Sequence, residues 1–183
     1  MTKAADIESR ARKITTVIFD VDGVLTDGSV IVDASGGEIK RFNVQDGTGI
    51  KYLERAGVRV VLISGRDSRA VDARAGELGI EDVYQGYKDK VDAYGELKKL
   101  RGLGDGEIAY VGDDLPDIPV MRLAGLAVAV RNARPEVKSI AHVVTEAAGG
   151  FGAAREFAEW LLKSTGKWEA IWSRYAPGGG AGA

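Results

Sequence analysis

The segment Val17–Thr26 constrains the fold more than any other part of the chain, because an apolar run leads directly into two aspartates and a glycine. The β-branched and aromatic residues before Asp20 are typical of a buried strand. Side chains two residues apart on a strand point to the same side, so Asp20 and Asp22 are predicted to converge at its carboxyl end. Open parallel sheets bind ligands at that end. The alternative is a strand followed by an ordinary polar turn.

Composition narrows the class of protein. The chain has 183 residues, 45% of them hydrophobic, which predicts one compact domain with a sizeable core. A formal net charge of −2 gives no reason to expect a nucleic acid or an anionic membrane as partner. The absence of cysteine excludes disulfides and thiol chemistry and fits a cytoplasmic protein. We see no signal peptide in Met1–Lys13, and no apolar run approaches the ~20 residues of a membrane span.

Apolar strands alternate with helical patterns along the chain. This alternation predicts an α/β fold, a Rossmann-like doubly wound parallel sheet with helices on both faces. The predicted strands are Thr15–Val21, Val58–Ile63, Asp82–Tyr84, Ile108–Val111, Leu126–Val130 and Val143–Val144. The predicted helices are Thr48–Ala56, Ser68–Leu78, Lys88–Leu100, Pro116–Ala124 and Gly152–Ser164. Two short strands, Ser29–Val32 and Glu38–Phe42, flank a glycine-containing turn and predict a small β-hairpin flap over residues 28–42.

The pattern of elements divides the chain into an N-terminal extension, one domain and a C-terminal tail. Residues 1–13 are interpreted as an N-terminal extension and residues 14–166 as one domain. Residues 167–183 form a C-terminal tail, whose end from Pro177 is expected to be disordered.

Three further clusters follow strands of the predicted sheet: Leu62–Arg66, Tyr87–Lys90 and Tyr110–Asp117. Each has an ordinary explanation by itself, as a turn, a solvated lysine or a pair of helix caps. Together they bring carboxylates, a hydroxyl and a cation to successive strand ends. Phosphoryl transfer with Mg²⁺ requires this combination of groups.

The same motifs carry a family resemblance that spans roughly Ile14 to Gly166. Asp20–Thr26, Ser64, Lys90 and Gly112–Asp117 resemble the four motifs of the haloacid dehalogenase superfamily of phosphatases. A capless subclass, the phosphatases of 3-deoxy-D-manno-octulosonate 8-phosphate, is similar at Thr26–Gly28, the hairpin, Asn43–Gly47, Ile63–Arg66 and Ala148–Glu156. The resemblance implies a sugar-phosphate substrate and a cytoplasmic enzyme of lipopolysaccharide biosynthesis.

The resemblance also implies catalytic roles. Asp20 would attack phosphorus and form an aspartyl-phosphate, and Asp22 would act as the general acid and then as the general base. Ser64 and Lys90 would hold phosphate oxygens, with Lys88 as the rival for the lysine role.

Metal and substrate residues follow from the same resemblance. Mg²⁺ would be held by the carboxylates of Asp20 and Asp113 and by the backbone carbonyl of Asp22. Asp114 and Asp117 would act in the outer shell. The substrate-binding candidates are Arg66, Lys51 and Gly65.

Loop lengths leave no room for a separate cap domain. Only 41 residues separate Asp22 from Ser64, and 48 separate Ser64 from Asp113. Capless relatives cover the site by assembling through the hairpin, so the resemblance implies a homotetramer. The alternatives are a phosphatase for a nine-carbon keto-sugar acid phosphate, a non-catalytic homologous scaffold subunit, a receiver-type signalling domain and a phosphomutase.

Overall fold

The computed structural model describes residues 3–176 and contains two sheets. The elements are α1 Lys3–Ala11, β1 Thr16–Phe19, β2 Ile31–Val32, β3 Glu38–Ile39, α2 Val44–Arg55, β4 Arg59–Ile63, α3 Arg69–Leu78, β5 Asp82–Tyr84, α4 Lys90–Arg101, β6 Ile108–Gly112, α5 Ile118–Leu123, β7 Leu126–Ala129, α6 Pro135–Ile140, β8 Val143–Val144, α7 Ala153–Ser164 and α8 Trp168–Trp172. Short 3₁₀ helices cover Asp105–Glu107 and Leu115–Asp117.

Six strands form one parallel sheet in the order β5-β4-β1-β6-β7-β8. The strands β1, β6 and β7 are buried along their whole length, as expected for a sheet that is covered on both faces. Helices α2 and α7 pack against one another, and α4 packs against α5. The predicted α/β fold is therefore confirmed.

The chain reverses its winding direction at β1. From β1 it moves outward through β4 to β5, and it then returns to β6 on the other side of β1. Connections of opposite direction diverge at such a switch point and leave a crevice at the carboxyl ends of the strands. The topology therefore places the crevice beside Asp20, which directly follows β1.

Local signals explain most helix boundaries. The Asn43 side chain accepts a hydrogen bond from the backbone of Gln45, so α2 begins four residues before the predicted start. Asp89 caps α4 in the same way, and Gly102 ends that helix in the left-handed conformation. Lys90 is thus the first residue of α4.

The hairpin is confirmed but has shorter strands than predicted. Ile31 pairs with Ile39, and Val32 pairs with Glu38. Phe42, which the sequence placed in the second hairpin strand, instead packs against the core with the Arg74 guanidinium 6.0 Å from its ring centroid.

Both terminal segments contain helices that lie outside the predicted helix ranges. Helix α1 lies within residues 1–13, and Ala11 at its end is completely buried. Helix α8 lies in the tail, where Trp168 packs edge-on against Tyr52 at a centroid distance of 6.0 Å.

The division at residues 14–166 stays a prediction, and the expected disorder from Pro177 onward falls outside the described residues. Within residues 3–176, no helix combines the length and apolar character needed to cross a bilayer.

Candidate active site

Asp20 and Asp22 lie where the chain leaves the sheet, but they face different partners. Strand β1 ends at Phe19, one residue before the first aspartate. The following turn is closed by backbone hydrogen bonds from Val24, Leu25 and Thr26 to the Val21 carbonyl. Strand alternation therefore ends before Asp22 and does not set the direction of its side chain, so that reason for convergence is wrong. The convergence of the two carboxylates itself stays a prediction. The left-handed Gly23, with φ of 96°, belongs to this turn.

Asp20 is 5% exposed and is bound directly by a lysine. The Lys90 ammonium donates to Asp20 Oδ1 at 2.7 Å and to Asp117 Oδ1 at 2.6 Å. Burial lowers the pKa of Lys90, but the Asp20 and Asp117 carboxylates outweigh it, so that the net shift is upward. Lys90 is therefore a fixed cation of the site, whereas Lys88 is exposed.

Asp117 accepts hydrogen bonds from several groups around Asp20. Its Oδ1 also accepts a 2.8 Å hydrogen bond from the Tyr110 hydroxyl. Its Oδ2 accepts hydrogen bonds from the backbone N–H groups of Asp113 and Asp114 at 2.9 and 3.1 Å. Because both of its oxygens accept hydrogen bonds, Asp117 holds these neighbours in place. Its place in the outer shell of a metal ion stays a prediction.

Asp20, Asp113 and Asp117, here called the aspartate cluster, place carboxylate oxygens within 4.8 Å of one another. With Lys90 as their bound cation, full ionisation leaves two negative charges uncompensated in this group of four. Burial and the Asp117 carboxylate raise the pKa of Asp20 to about 7. Burial and the charges of Asp20 and Asp117 raise the pKa of Asp113 to about 8. The negative charge of the cluster therefore exceeds the single positive charge of Lys90.

A divalent cation fits this deficit. The buried Asp113 Oδ1 has no hydrogen-bond partner among the described residues, although buried carboxylate oxygens are normally satisfied. Hard carboxylate oxygens are the ligands that Mg²⁺ prefers. The donor set of Asp20 and Asp113 therefore suits the ion that the sequence predicted.

The Asp22 carboxylate belongs to a second group of charges, on the side of the hairpin. Its Oδ1 is bound by the Lys40 ammonium, and its Oδ2 lies 3.9 Å from Arg66 Nε. Arg66 Nη2 also donates to Glu38 at 2.6 Å. Arg66 thus lies beside the predicted acid, on the loop after β4.

The loop after β4 presents the other predicted binding residues. Ser64 is buried, and its hydroxyl donates to the Arg66 carbonyl at 3.0 Å and accepts from the Arg66 N–H at 3.2 Å. Gly65 is exposed between them. The loop therefore closes on itself and leaves backbone groups at the edge where phosphate is expected.

Two predicted site residues lie elsewhere. Lys51 is on α2, about 10 Å of helix rise beyond Val44 toward the opposite edge of the sheet. There it forms a 2.8 Å ion pair with Glu54. The prediction that Lys51 binds substrate within this chain is therefore wrong, because α2 runs away from the site.

Asp114 is the second of these residues. Its exposed carboxylate lies outside the aspartate cluster and accepts a 2.8 Å hydrogen bond from the Leu115 N–H. It caps the 3₁₀ helix that carries Asp117. Its carboxylate makes this capping contact, whereas its backbone N–H donates to Asp117 Oδ2 at 3.1 Å.

The loop Ala148–Gly152 packs against the turn that contains Asp22. A Cβ atom on Gly149 would overlap the Gly23 carbonyl, so that only glycine permits this approach. The loop is anchored by buried Asp46, which accepts hydrogen bonds from the backbone of Gly152 and Arg155 at 3.2 and 3.0 Å. Asp46 thereby caps α7 and fixes the loop against the site.

Sequence reasoning missed three polar groups around the site. Tyr110 had a detectable signal, since a tyrosine within an apolar strand needs a partner for its hydroxyl. Lys40 had none, because its partner lies 18 residues away. Asp46 lies in the Asn43–Gly47 motif, but its partners lie 106 or more residues away and nothing local indicates its capping role.

Comparisons with known proteins show which family the chain resembles. A model of the haloacid dehalogenase-like hydrolases matches residues 77–155. The 3-deoxy-D-manno-octulosonate 8-phosphate phosphatase KdsC of Escherichia coli (strain K12) is 43% identical over 164 residues, which are 90% of this chain and 87% of that protein.

Solved structures extend the similarity to the fold. A probable yrbi family phosphatase from Pseudomonas syringae is 48% identical with a TM-score of 0.91, covering 93% of this chain and 97% of that one. The 3-deoxy-D-manno-octulosonate 8-phosphate phosphatase of Moraxella catarrhalis, solved with a magnesium ion, a phosphate ion and a KDO molecule, is 38% identical with a TM-score of 0.91, covering 93% and 98%. The chain therefore belongs to the 3-deoxy-D-manno-octulosonate 8-phosphate phosphatase family of haloacid dehalogenase-like hydrolases.

Proposed function

We propose that this protein hydrolyses 3-deoxy-D-manno-octulosonate 8-phosphate with the help of Mg²⁺. The observation that carries the proposal is the aspartate cluster at the switch point. There Asp20 is bound by Lys90, and Asp113 Oδ1 has no hydrogen-bond partner within residues 3–176. The E. coli and M. catarrhalis relatives, which carry this activity in their names, support the substrate.

In the first step, an Asp20 carboxylate oxygen attacks phosphorus and the bond from phosphorus to the sugar oxygen breaks. Asp22 donates its proton to the departing sugar oxygen, which leaves as an alcohol. The products are the free sugar acid and an aspartyl-phosphate on Asp20.

In the second step, water attacks the phosphorus of the aspartyl-phosphate. Asp22, now a carboxylate, accepts a proton from that water. The bond between phosphorus and the Asp20 oxygen breaks, which releases inorganic phosphate and restores both aspartates.

Other residues hold the phosphate during both steps. Lys90 lies 2.7 Å from Asp20, so its ammonium can bind a phosphate oxygen next to the attacking carboxylate. Ser64 and the backbone of Gly65 offer donors on the opposite side, and Arg66 can reach the carboxylate of the sugar acid. Mg²⁺, held by Asp20, Asp113 and the Asp22 carbonyl, would neutralise charge on the phosphoryl group.

A panel of phosphate esters tests the proposal directly. We expect phosphate release from 3-deoxy-D-manno-octulosonate 8-phosphate with kcat/KM at least about 10-fold above that for neutral sugar phosphates, because one charge-assisted hydrogen bond to the substrate carboxylate contributes about 1.5–3 kcal/mol. EDTA should abolish release, and Mg²⁺ should restore it.

A nine-carbon keto-sugar acid phosphate is the matched comparison in this panel. It carries the same carboxylate on a longer chain, so faster release from it would assign the nine-carbon substrate instead. Release that persists in EDTA would remove the metal from the mechanism, and an inactive protein would support the scaffold alternative.

We propose further that the protein is a homotetramer assembled through the hairpin. Its side chains Val30, Ile31, Val32 and Ile39 are 45–61% exposed. A two-stranded hairpin is marginal in water without something to pack against. Sedimentation is expected to give a tetramer, and Val32→Lys is expected to shift it toward smaller species; an active wild-type monomer would contradict the assembly. The location in the cytoplasm and the role in lipopolysaccharide biosynthesis stay predictions.

A further inference from the structure

Lys40 occupies an unusual position for a hairpin lysine. Its neighbours Ile39 and Arg41 are exposed, but the Lys40 side chain is only 1% exposed. Lysine is almost never fully buried unless it is paired, because desolvation of its ammonium is costly. The partners that compensate this burial therefore indicate what the residue does.

Both partners are carboxylates on the side of the candidate site that faces the hairpin. The Lys40 ammonium binds Asp22 Oδ1 and lies 3.4 Å from a Glu38 oxygen. With Arg66, these residues form a group of two cations and two carboxylates. Unlike the aspartate cluster, this group is electrically balanced, so it holds Asp22 without any added ion.

The contact with Lys40 distinguishes the two Asp22 oxygens. Oδ1 is engaged by the ammonium, whereas Oδ2 is 3.9 Å from Arg66, too far for a hydrogen bond. A general acid must place one oxygen within hydrogen-bond reach of the leaving group. With Oδ1 held, Oδ2 is the oxygen that can face the departing sugar oxygen.

Arg66 is a poor substitute anchor. Its side chain is half exposed, and its short contact is with Glu38 rather than with Asp22. Long exposed side chains lose entropy when they are fixed, and exposed ion pairs contribute little. Lys40 is therefore the residue best placed to fix the orientation of Asp22.

We propose that Lys40 is a positioning residue that orients Asp22 for proton transfer and so couples the hairpin to the catalytic acid. This inference rests on the proposed role of Asp22 as general acid and does not depend on which sugar phosphate is the substrate. Small misplacements of catalytic groups reduce rates strongly, so loss of this anchor should affect the steps in which Asp22 moves a proton.

The test uses the leaving group. Sugar phosphates release a basic alkoxide and need the acid, whereas p-nitrophenyl phosphate releases a stable phenolate and needs it little. We expect Lys40→Met to lower kcat/KM for a sugar phosphate by about 10-fold or more and kcat/KM for p-nitrophenyl phosphate by less than about threefold. The ratio kcat/KM is the proper measure, because it excludes hydrolysis of the aspartyl-phosphate, in which Asp22 acts as base for both substrates. Lys40→Arg should restore part of the loss, because it keeps a cation on the hairpin.

Two comparisons exclude a merely structural effect. Lys99→Met removes an exposed cation from the end of α4 and should leave both activities unchanged. In an Asp22→Asn background, Lys40→Met should cost less than about threefold on either substrate, because the two residues act as one unit. Equal loss of kcat/KM on both substrates, or a full further loss in the Asp22→Asn background, would overturn the proposal.

Failure of the proposed substrate can be separated from failure of this inference. If wild type cleaves p-nitrophenyl phosphate and another sugar phosphate but not 3-deoxy-D-manno-octulosonate 8-phosphate, the substrate assignment fails and the Lys40 test continues with the ester that is cleaved. If the substrate is correct and Lys40→Met keeps full activity on it, the positioning role fails alone.

Discussion

Asp20→Asn is expected to lower kcat by at least about 10⁴-fold, because the amide cannot form the phosphorylated intermediate and removal of a covalent nucleophile ranks among the most damaging single changes in an enzyme. The fold should persist, since asparagine matches aspartate in size and Lys90 keeps its 2.6 Å bond to Asp117. The change also removes one of the carboxylates that raise the pKa of Asp113. We therefore expect the melting temperature in EDTA to stay level or rise.

Rapid-quench assays and thermal melts measure the two halves of this expectation. Asp92→Asn is the matched control, because Asp92 is an exposed carboxylate in the first turn of α4, two residues after Lys90. It should keep wild-type turnover. Activity of Asp20→Asn within a few-fold of wild type would rule out the covalent mechanism, and trapping of a phosphorylated wild-type chain but not the variant would support it.

The sheet and the position of the site follow from short-range patterns. The apolar runs at β1, β4, β6 and β7 are long enough to indicate buried strands without any partner in view. Polar residues placed directly after such runs must meet at one edge, because all six strands are parallel. Asp20 and Asp113 were predicted for that reason and Lys90 from the family resemblance, and the structure brings the three together.

Predictions fail where a long-range contact decides the outcome. Asp22 was expected to follow strand alternation, but the turn closed on Val21 redirects its side chain toward Lys40. Nothing near Lys40 in the sequence distinguishes it from a solvated lysine on a strand. Lys51 was predicted to bind substrate because of its charge. Its position along α2 places it away from the site, where it pairs with Glu54 instead.

The choice between Lys88 and Lys90 shows how a local signal settles a register. Both lysines lie near the start of α4, and composition alone does not separate them. Asp89 caps the helix, which makes Lys90 its first residue and directs that side chain to Asp20 and Asp117. Lys88 precedes the cap and remains exposed.

Lys90→Met is expected to damage both catalysis and stability. Without the ammonium, the buried carboxylates of Asp20 and Asp117 lose their shared cation. Leaving buried charges uncompensated typically costs about 3–5 kcal/mol, which corresponds to a fall in melting temperature of roughly 6–20 °C for a chain of this size. Turnover should fall by about 10²–10³-fold, because a preorganised positive charge at the phosphoryl group is lost.

Lys88→Met provides the matched control, since it removes the same charge from an exposed position two residues away. It should change neither the melting temperature nor kcat by a measurable amount. Mg²⁺ should raise the melting temperature of Lys90→Met more than that of wild type, because the variant cluster carries one more uncompensated negative charge and attracts a cation more strongly. Equal melting temperatures and equal kcat for the two methionine variants would show that the Lys90 contacts do not govern the site. A smaller Mg²⁺ shift in Lys90→Met than in wild type would show that the lysine helps to organise the metal ligands rather than competing with the ion for their charge.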